Sequence, residues 1–494
     1  MGRKIPLWQI LLVLLVMIAS LMYTIIVVEG YMHCVLILCA AFAAIIAIIN
    51  GYKWDYLEKG ILRNINASMQ ALLILLVVGM LIGTWIAGGI IQTMIYYGLQ
   101  IINPKIFLIA ACLLSAVVSL ATGSSWTTAG TVGIALIGIG TALDINLGMT
   151  AGAIISGAYF GDKMSPLSDS TNLAPAMAGD TLFEHIRHMV YTVTPSLVIA
   201  LIIYGVLGMR YGGKSADLSS VTDLMAGLKA NFFISPILLV PPLMVILMIV
   251  FKLPAIPGLL GGSLMGVVCA VAFQGGSIGE LVGITMYQGY TSKTGIEFID
   301  QLLTRGGLSS MFYSAVLVLS AMCLAGVLEA SDMLNVLCEK LLKFAKSRGS
   351  LVLLTIATCI VINILCADQY VSIVLPGRMY KQEFEDRRLK RKNLSRILED
   401  AGTMTSGLIP WTTCGAYMTT TLGVGPWGAG GYAKYAFLNL LNPLVSLFYG
   451  ITGITMEKMS EEEYQQILHE REKAKEEELA AVHMNDGEAV HIIT

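Results

Sequence analysis

Long apolar runs alternate along the chain with short charged breaks, and the length of the runs decides what the chain can be. Leu7 to Val28, Tyr31 to Ile49 and Ala71 to Ile91 are each nearly unbroken hydrophobic stretches. Runs of about 20 apolar residues match the hydrocarbon thickness of a bilayer. Marked against their charged borders, such runs predict full spans near 7–28, 31–50, 70–98, 147–177, 188–208, 232–251, 258–275, 311–330, 401–424 and 433–454. Two further apolar segments, 104–140 and 351–380, are interrupted midway by Ala121-Thr122-Gly123-Ser124-Ser125 and by Cys366-Ala367-Asp368-Gln369. Each arm is short for a span, so both are expected to be re-entrant hairpins with polar tips. One such run could be a buried core helix; ten cannot.

Composition points the same way. Hydrophobic residues make up 56% of the 494 and charged residues 13%, about half the roughly 25% charge of a globular domain. That excludes a soluble enzyme. The first run follows Arg3-Lys4 as a signal peptide would, but it is longer than an h-region and no small-residue cleavage site follows it, so a retained span is expected. The nine cysteines lack C-x-x-C or metal spacing and read as packing residues rather than disulfides. No cofactor and no nucleic-acid partner is expected.

Positive charge sets the direction of the spans. With the N-terminus in the cytoplasm, 19 Lys and Arg fall inside, including the dense run from Arg378 to Arg396, against 7 outside. Both termini are then cytoplasmic, in a multi-pass protein of the cell membrane. The flanks of the first hairpin (Lys105, Asp144) are nearly free of positive charge, while those of the second are the most basic part of the chain. The two hairpins are thus expected to open to opposite faces.

An internal repeat accompanies this asymmetry. Gly161-Asp162-Lys163-Met164-Ser165-Pro166-Leu167 is echoed about 241 residues later by Gly402-Thr403-Met404-Thr405-Ser406-Gly407-Leu408, and Ser124-Ser125 falls on Asp368-Gln369 at an offset of about 244. The first unit would start inside and the second outside, making the repeats inverted, the signature of alternating-access transporters. The expected fold is an all-α polytopic membrane protein. It has about ten transmembrane helices plus two re-entrant hairpins, in two inverted repeats with broken helices. The divisions are 1–69 (scaffold spans), 70–208 (first repeat), 209–310 (linking spans and an extracellular loop), 311–455 (second repeat) and 456–494 (polar cytoplasmic tail). The scaffold and linking spans are expected to supply packing or homodimer contacts.

The chemistry concentrates at the interruptions. Pro166 and Pro175 break the helix around Asp162 to Ala174, freeing carbonyls beside Asp, Ser, Thr and Asn oxygens. Such a hard-oxygen environment suits a small cation. Turn residues of the same kinds also make ordinary loops, yet a carboxylate in a span normally marks an ion path. Asp162, Asp169 and Asp368 are the candidate carboxylates, joined by Ser170, Thr171, Asn172, the tip hydroxyls Ser124 and Ser125, and Thr412 and Thr413 in the second unit. A carboxylate that holds either Na⁺ or H⁺, but not both, couples the two fluxes. Lys163 is a candidate counter-ion for its neighbour Asp162. Among the six histidines, His185 and His188 read as cytoplasmic-loop residues and His33 as interfacial.

The stretch from Gly161 to Pro175, the tip Thr122-Gly123-Ser124-Ser125-Trp126-Thr127, Ala367-Asp368-Gln369-Tyr370 and Ile409-Pro410-Trp411-Thr412 together resemble the NhaC family of Na⁺/H⁺ antiporters, within the ion transporter superfamily. The resemblance covers essentially the whole membrane part. It implies the inverted-repeat fold, Na⁺/H⁺ exchange, and ion-site roles for Asp162, Asp169, Thr171, Asn172 and Asp368. Relatives that exchange malate and lactate, or move amino acids, supply the alternative: a Na⁺- and H⁺-coupled carrier of small carboxylates or amino acids. An organic anion wants a cationic partner or helix N-termini aimed at it, and Lys163 is the one basic residue expected within the membrane away from span ends. An intramembrane aspartyl protease is disfavoured, because Tyr159 stands where the Gly-x-Gly-Asp pattern needs its first glycine.

Overall fold

A computed structural model describes residues 3–28, 30–101, 103–210, 218–469 and 471. Six helices among them are long and apolar enough to cross a membrane as single elements: Met32–Ile49, Trp54–Ala87, Leu182–Met209, Ala255–Phe273, Leu308–Ala330 and Arg348–Cys366. Leu7–Tyr23, Phe107–Thr122 and Phe437–Thr452 are apolar but shorter, and no strand occurs among the described residues. Leu15, Ile202, Val268 and Leu444 are each more than half exposed. Large aliphatic side chains facing outward from several helices form the surface that lipid, not water, covers. The protein is an all-α membrane protein.

Its centre is a pair of antiparallel helices, Trp54–Ala87 and Phe312–Ala330. Glycine permits their close approach. A Cβ on Gly60 would lie 2.8 Å from the Gly326 carbonyl, and one on Gly326 would lie 2.4 Å from the Ile61 Cα. Small residues bring membrane helices together in this way. Asn64 and Arg63 both donate to Glu329, at 2.7 and 2.9 Å. The first helix runs unbroken from Trp54, well before the expected border at 70, and ends at the Gly88-Gly89 turn.

Both interrupted segments fold back on themselves. In the first, Phe107–Thr122 ends at Gly123, whose φ of +69° suits glycine. Ser124 then caps the returning arm by accepting from Thr127 N at 3.2 Å. That arm comes back to its start: a Cβ on Gly140 would lie 3.2 Å from the Phe107 ring. In the second, Arg348–Cys366 ends at Ala367 (φ +55°), and Asp368 caps Gln369–Asp386 by accepting from Tyr370 N at 2.8 Å and Val371 N at 3.2 Å. The return is fixed by Tyr380 Oη to Thr358 Oγ1 at 2.7 Å and by Arg387 donating to the Ser347 carbonyl at 2.8 Å. The arm Arg348–Cys366 has 19 residues, enough to span alone. Arm length therefore does not create the hairpin; the cap at Asp368 and the packing of the returning arm do.

Each hairpin leads into a broken helix. Leu147–Met164 and Asp169–Ala178 are separated by Ser165 to Ser168. Arg391–Leu398 continues through a π-turn, Glu399–Thr403, into Met404–Ser406, and after a gap resumes as Thr413–Leu422. Backbone geometry recurs between the two units at a single offset of 244. Asp144 (φ +52°) matches Arg388 (φ +55°), Ser168 (φ −74°) matches Thr412 (φ −73°), and Gly179 (φ +79°) matches Gly423 (φ +73°). A tie from hairpin to broken helix recurs as well: Ser119 Oγ to the Ala158 carbonyl at 2.5 Å, and Asn363 Nδ2 to the Gly402 carbonyl at 2.6 Å. The offset of 241 read from Gly161 and Gly402 is thus displaced by three residues. That is nearly one helical turn, after which an apolar helix resembles itself.

Two further expectations change. The second broken helix begins at Arg391 rather than 401, so Arg396, counted among cytoplasmic loop charges, is a fully buried helical residue. His185 and His188 are not in a loop; both are buried in Leu182–Met209. The tail is described only to residue 469 and at 471, with 461–469 helical; the remainder of 456–494 lies outside the described residues.

Candidate functional site: a cavity between hairpin tips and helix breaks

The two hairpin tips and the two helix breaks meet at one cavity of about 800 Å³. Ser124 arrives from the first tip, Asp162, Asp169 and Ser170 from the first broken helix, Asp368 from the second tip and Thr413 from the second break. Six of the ten sequence-derived site residues therefore line one space, although they span 290 positions of chain. Three carboxylates face it against the single lysine Lys252, at a loop that closes one side. The lining is acidic and suits a cation.

The remaining four candidates act on the frame of the cavity. Ser125 donates through both Oγ (2.6 Å) and N (3.2 Å) to Asp162 Oδ2, so the first tip grips the first carboxylate directly. Thr171 Oγ1 donates to the carbonyls of Asp162 and Lys163, at 3.1 and 3.0 Å. Asn172 donates to those of Pro166 and Ser168, at 3.0 and 2.7 Å. Carbonyls freed by the break thus each accept a hydrogen bond from a side chain. Thr412 caps Thr413–Leu422, accepting from Gly415 N at 2.9 Å while donating to the Ser406 carbonyl at 2.6 Å. Asp368 is both cap and lining: Oδ1 takes the two backbone N–H groups, and no hydrogen bond to Oδ2 occurs among the described residues.

Lys163 is not the partner of Asp162. Its ammonium pairs with Asp400, both side chains fully buried. Asp400 Oδ1 also accepts from Thr192 Oγ1 at 2.9 Å and Asn442 Nδ2 at 2.6 Å, and Arg396 Nε lies 3.8 Å from Oδ2. Neighbouring residues on a helix point apart, so Lys163 turns away from the cavity while Asp162 faces it. Sequence reasoning missed Glu399 and Asp400 altogether. The signal was present as a charged set at i, i+3 and i+4 (Arg396, Glu399, Asp400) leading into Ala401-Gly402. It was masked by the basic run before it, which reads as loop. Also missed were Ser68 and Gln70 on the central helix, while Gln369, Tyr370 and Trp126, quoted in the sequence motifs but not as ion-site candidates, stand on the cavity wall. The Trp126 ring stacks on Tyr417, centroids 4.2 Å apart, and Tyr417 Oη donates to the Trp126 carbonyl at 2.7 Å, joining the first tip to the far half of the second broken helix.

Broken helices that meet at a cation-suited cavity are an arrangement that ion carriers use. Residues 157–454 match the family described as the Na⁺/H⁺ antiporter family. The chain is 37% identical over 458 residues to the Na⁺/H⁺ antiporter NhaC of Alkalihalophilus pseudofirmus, covering 93% of this chain and 98% of that protein. It is 40% identical over 411 residues to the malate-2H⁺/Na⁺-lactate antiporter of Bacillus subtilis, covering 83% of this chain and 87% of that one. Identity to the arginine/ornithine antiporter ArcD of Halobacterium salinarum is 38% over 426 residues, covering 86% and 87%. The chain belongs to the Na⁺/H⁺ antiporter family.

Proposed function

We propose that the protein exchanges Na⁺ for H⁺ across the cell membrane by alternating access, with Asp162 and Asp368 as the two cavity carboxylates that carry the coupling. The observation that carries this reading is the convergence of both hairpin tips and both helix breaks on a cavity holding Asp162, Asp169 and Asp368. Carboxylate, hydroxyl and carbonyl oxygens are the donors a hard cation takes, and a carboxylate that holds Na⁺ cannot also hold a proton.

Two inverted repeats, 70–208 and 311–455, are the mechanical half of the proposal. The constant offset of 244 in cap geometry supports it, as does the antiparallel crossing of Trp54–Ala87 and Phe312–Ala330. Opposed repeats give one chain two related arrangements, each open to one face. With both termini cytoplasmic, the side walled by Ala67, Gln70 and Lys252 faces the cytoplasm. The two tips are chemically unequal, Ser124 in one and Asp368 in the other, so the repeats build one asymmetric site.

The test is Na⁺-dependent proton flux in proteoliposomes. Asp162→Asn and Asp368→Asn are each expected to lower it at least tenfold. Wild-type flux in both variants would refute carboxylate competition. Exchange of small carboxylates is the second reading, favoured by the malate/lactate relative and by Lys252 at the cavity wall. Three carboxylates against one lysine weigh against an anion. Flux that requires added malate or lactate would establish it in place of simple exchange.

A further inference from the structure

Glu399 is fully buried, and among the described residues neither of its carboxylate oxygens makes a hydrogen bond of ordinary geometry; the hydroxyls of Thr403 and Ser170 are its polar neighbours. Buried charges are paired or coordinate an ion, because an unpaired one loses its hydration and gains nothing in return. The surrounding cations are already engaged. Lys163 Nζ is on Asp400, and Arg396 lies beside the same carboxylate with its Nη1 on Thr455 Oγ1 at 2.8 Å. Asp400 is the nearer partner of both cations, and Glu399 touches neither; with Asp162 across the break, three carboxylates face two positive charges.

A second buried polar group faces the same place. Thr403 is fully buried, and among the described residues its Oγ1 makes no hydrogen bond of ordinary geometry, with Glu399 beside it. Glu399 and Thr403 are the two ends of the π-turn Glu399–Thr403. A π-turn has more than four residues per turn and recurs at functional sites, so it sets positions i and i+4 on one face. The Ser170 hydroxyl and the Asp162 carboxylate are polar neighbours of Glu399 across the break, and both of those residues line the cavity.

We infer that Glu399, Thr403 and Ser170 form an occluded sodium site next to the cavity, which Na⁺ reaches past Ser170 from Asp162. The donors are all hard oxygens, as a small hard cation requires. Asp162, Glu399 and Asp400 against Lys163 and Arg396 leave one negative charge in excess, so the ion is monovalent. The inference rests on the proposal that this chain carries Na⁺, and it adds a second station to the path. Asp162 receives the ion from the cavity, and Glu399 holds it away from water while the cavity changes sides.

The experiment uses the full-length purified protein and radioactive ²²Na⁺ binding, with the thermal midpoint measured in NaCl and in choline chloride. Wild type is expected to bind Na⁺ and to melt higher in NaCl, since a ligand that binds only the folded state stabilises it. Glu399→Gln keeps the volume of the side chain and is expected to weaken Na⁺ binding at least tenfold and to abolish the NaCl increment. A purely structural role would lower both midpoints and leave the increment intact. Thr403→Val, which also keeps its volume, is expected to weaken binding several-fold, and it reads the same site if Glu399→Gln does not fold. Wild-type Na⁺ affinity in either variant overturns the site. In that outcome, wild-type Na⁺-dependent proton flux would leave the exchange reading standing; absence of that flux in wild type would overturn both.

Discussion

Replacing Lys163 with Met removes the one ammonium that contacts Asp400. Both side chains are fully buried, so neither solvent nor salt can take over from the lost partner. Breaking a buried pair from one side costs about 3–5 kcal/mol, because a desolvated charge is left behind. Asp400 would keep its hydrogen bonds from Thr192 (2.9 Å) and Asn442 (2.6 Å), and Arg396 at 3.8 Å. These place the expected loss near the lower end, about 3 kcal/mol, or roughly a hundredfold in the folded-to-unfolded ratio. The Lys4–Glu339 pair, with side chains 60% and 53% exposed, should contribute far less, because solvent screens it. Equilibrium unfolding in mixed detergent micelles measures both. A double-mutant cycle then identifies the partner. Lys163→Met with Asp400→Asn should recover most of the loss, giving a coupling of about 2–3 kcal/mol. Lys163→Met with Asp162→Asn should show less than about 0.5 kcal/mol. A larger coupling to Asp162 than to Asp400 would refute the pairing, and with it the separation of the ion-facing carboxylate from the structural one.

Two further outcomes follow from the packing and from the loop on the far side of the fold. A Cβ on Gly157 would sit 1.9 Å from the Cys112 carbonyl in the seam between the first hairpin and the first broken helix. Gly157→Ala should therefore cost at least about 1–3 kcal/mol and lower the yield of monodisperse protein, whereas Gly283→Ala, with nothing within 4 Å, should not. Asp300 accepts from Thr294 N, Ser292 Oγ, Thr294 Oγ1 and Gly295 N. These donors hold its carboxyl down from an ordinary 3.8 to about 2. A depressed carboxylate contributes order that is fully present above its unfolded value and lost as pH falls through its folded one. Loop 290–304 should thus open between about pH 3.8 and pH 2, read as pepsin cleavage normalised to a denatured substrate. Asp300→Asn should be cleaved without that pH dependence.

Much of the architecture is legible in the letters because a bilayer imposes a coarse code. Apolar run length marks the membrane-crossing helices, and Gly123-Ser124 and Ala367-Asp368 announce the tips through residue types that end one helix and cap the next. Legibility fails where two codes overlap. The basic run from Arg378 reads as loop, and it carries Arg396, Glu399 and Asp400 out of view although all three are buried in helix. His185 and His188 are hidden for the same reason, since a polar side chain at a helix end looks alike whether it meets water or another helix. The displaced offset of 241 shows the limit of letter matching among apolar helices, which cap geometry corrects to 244.

That this chain lives in a membrane, where its helices are interrupted, and which carboxylates stand at the interruptions can all be read along the chain. Those properties are local: they follow from hydrophobic length, proline and glycine backbone limits, and the cost of charge in hydrocarbon. Which polar groups share a space is settled by the packing of the helices. It brought Asp162 and Asp368 to one cavity from opposite halves of the chain, turned Thr171, Asn172 and Thr412 onto backbone groups, and gave Lys163 to Asp400 instead of to its neighbour. Partner choice depends on which helix faces pack together, and that is set by close glycine contacts and capped turns hundreds of residues apart, beyond the reach of any window along the chain.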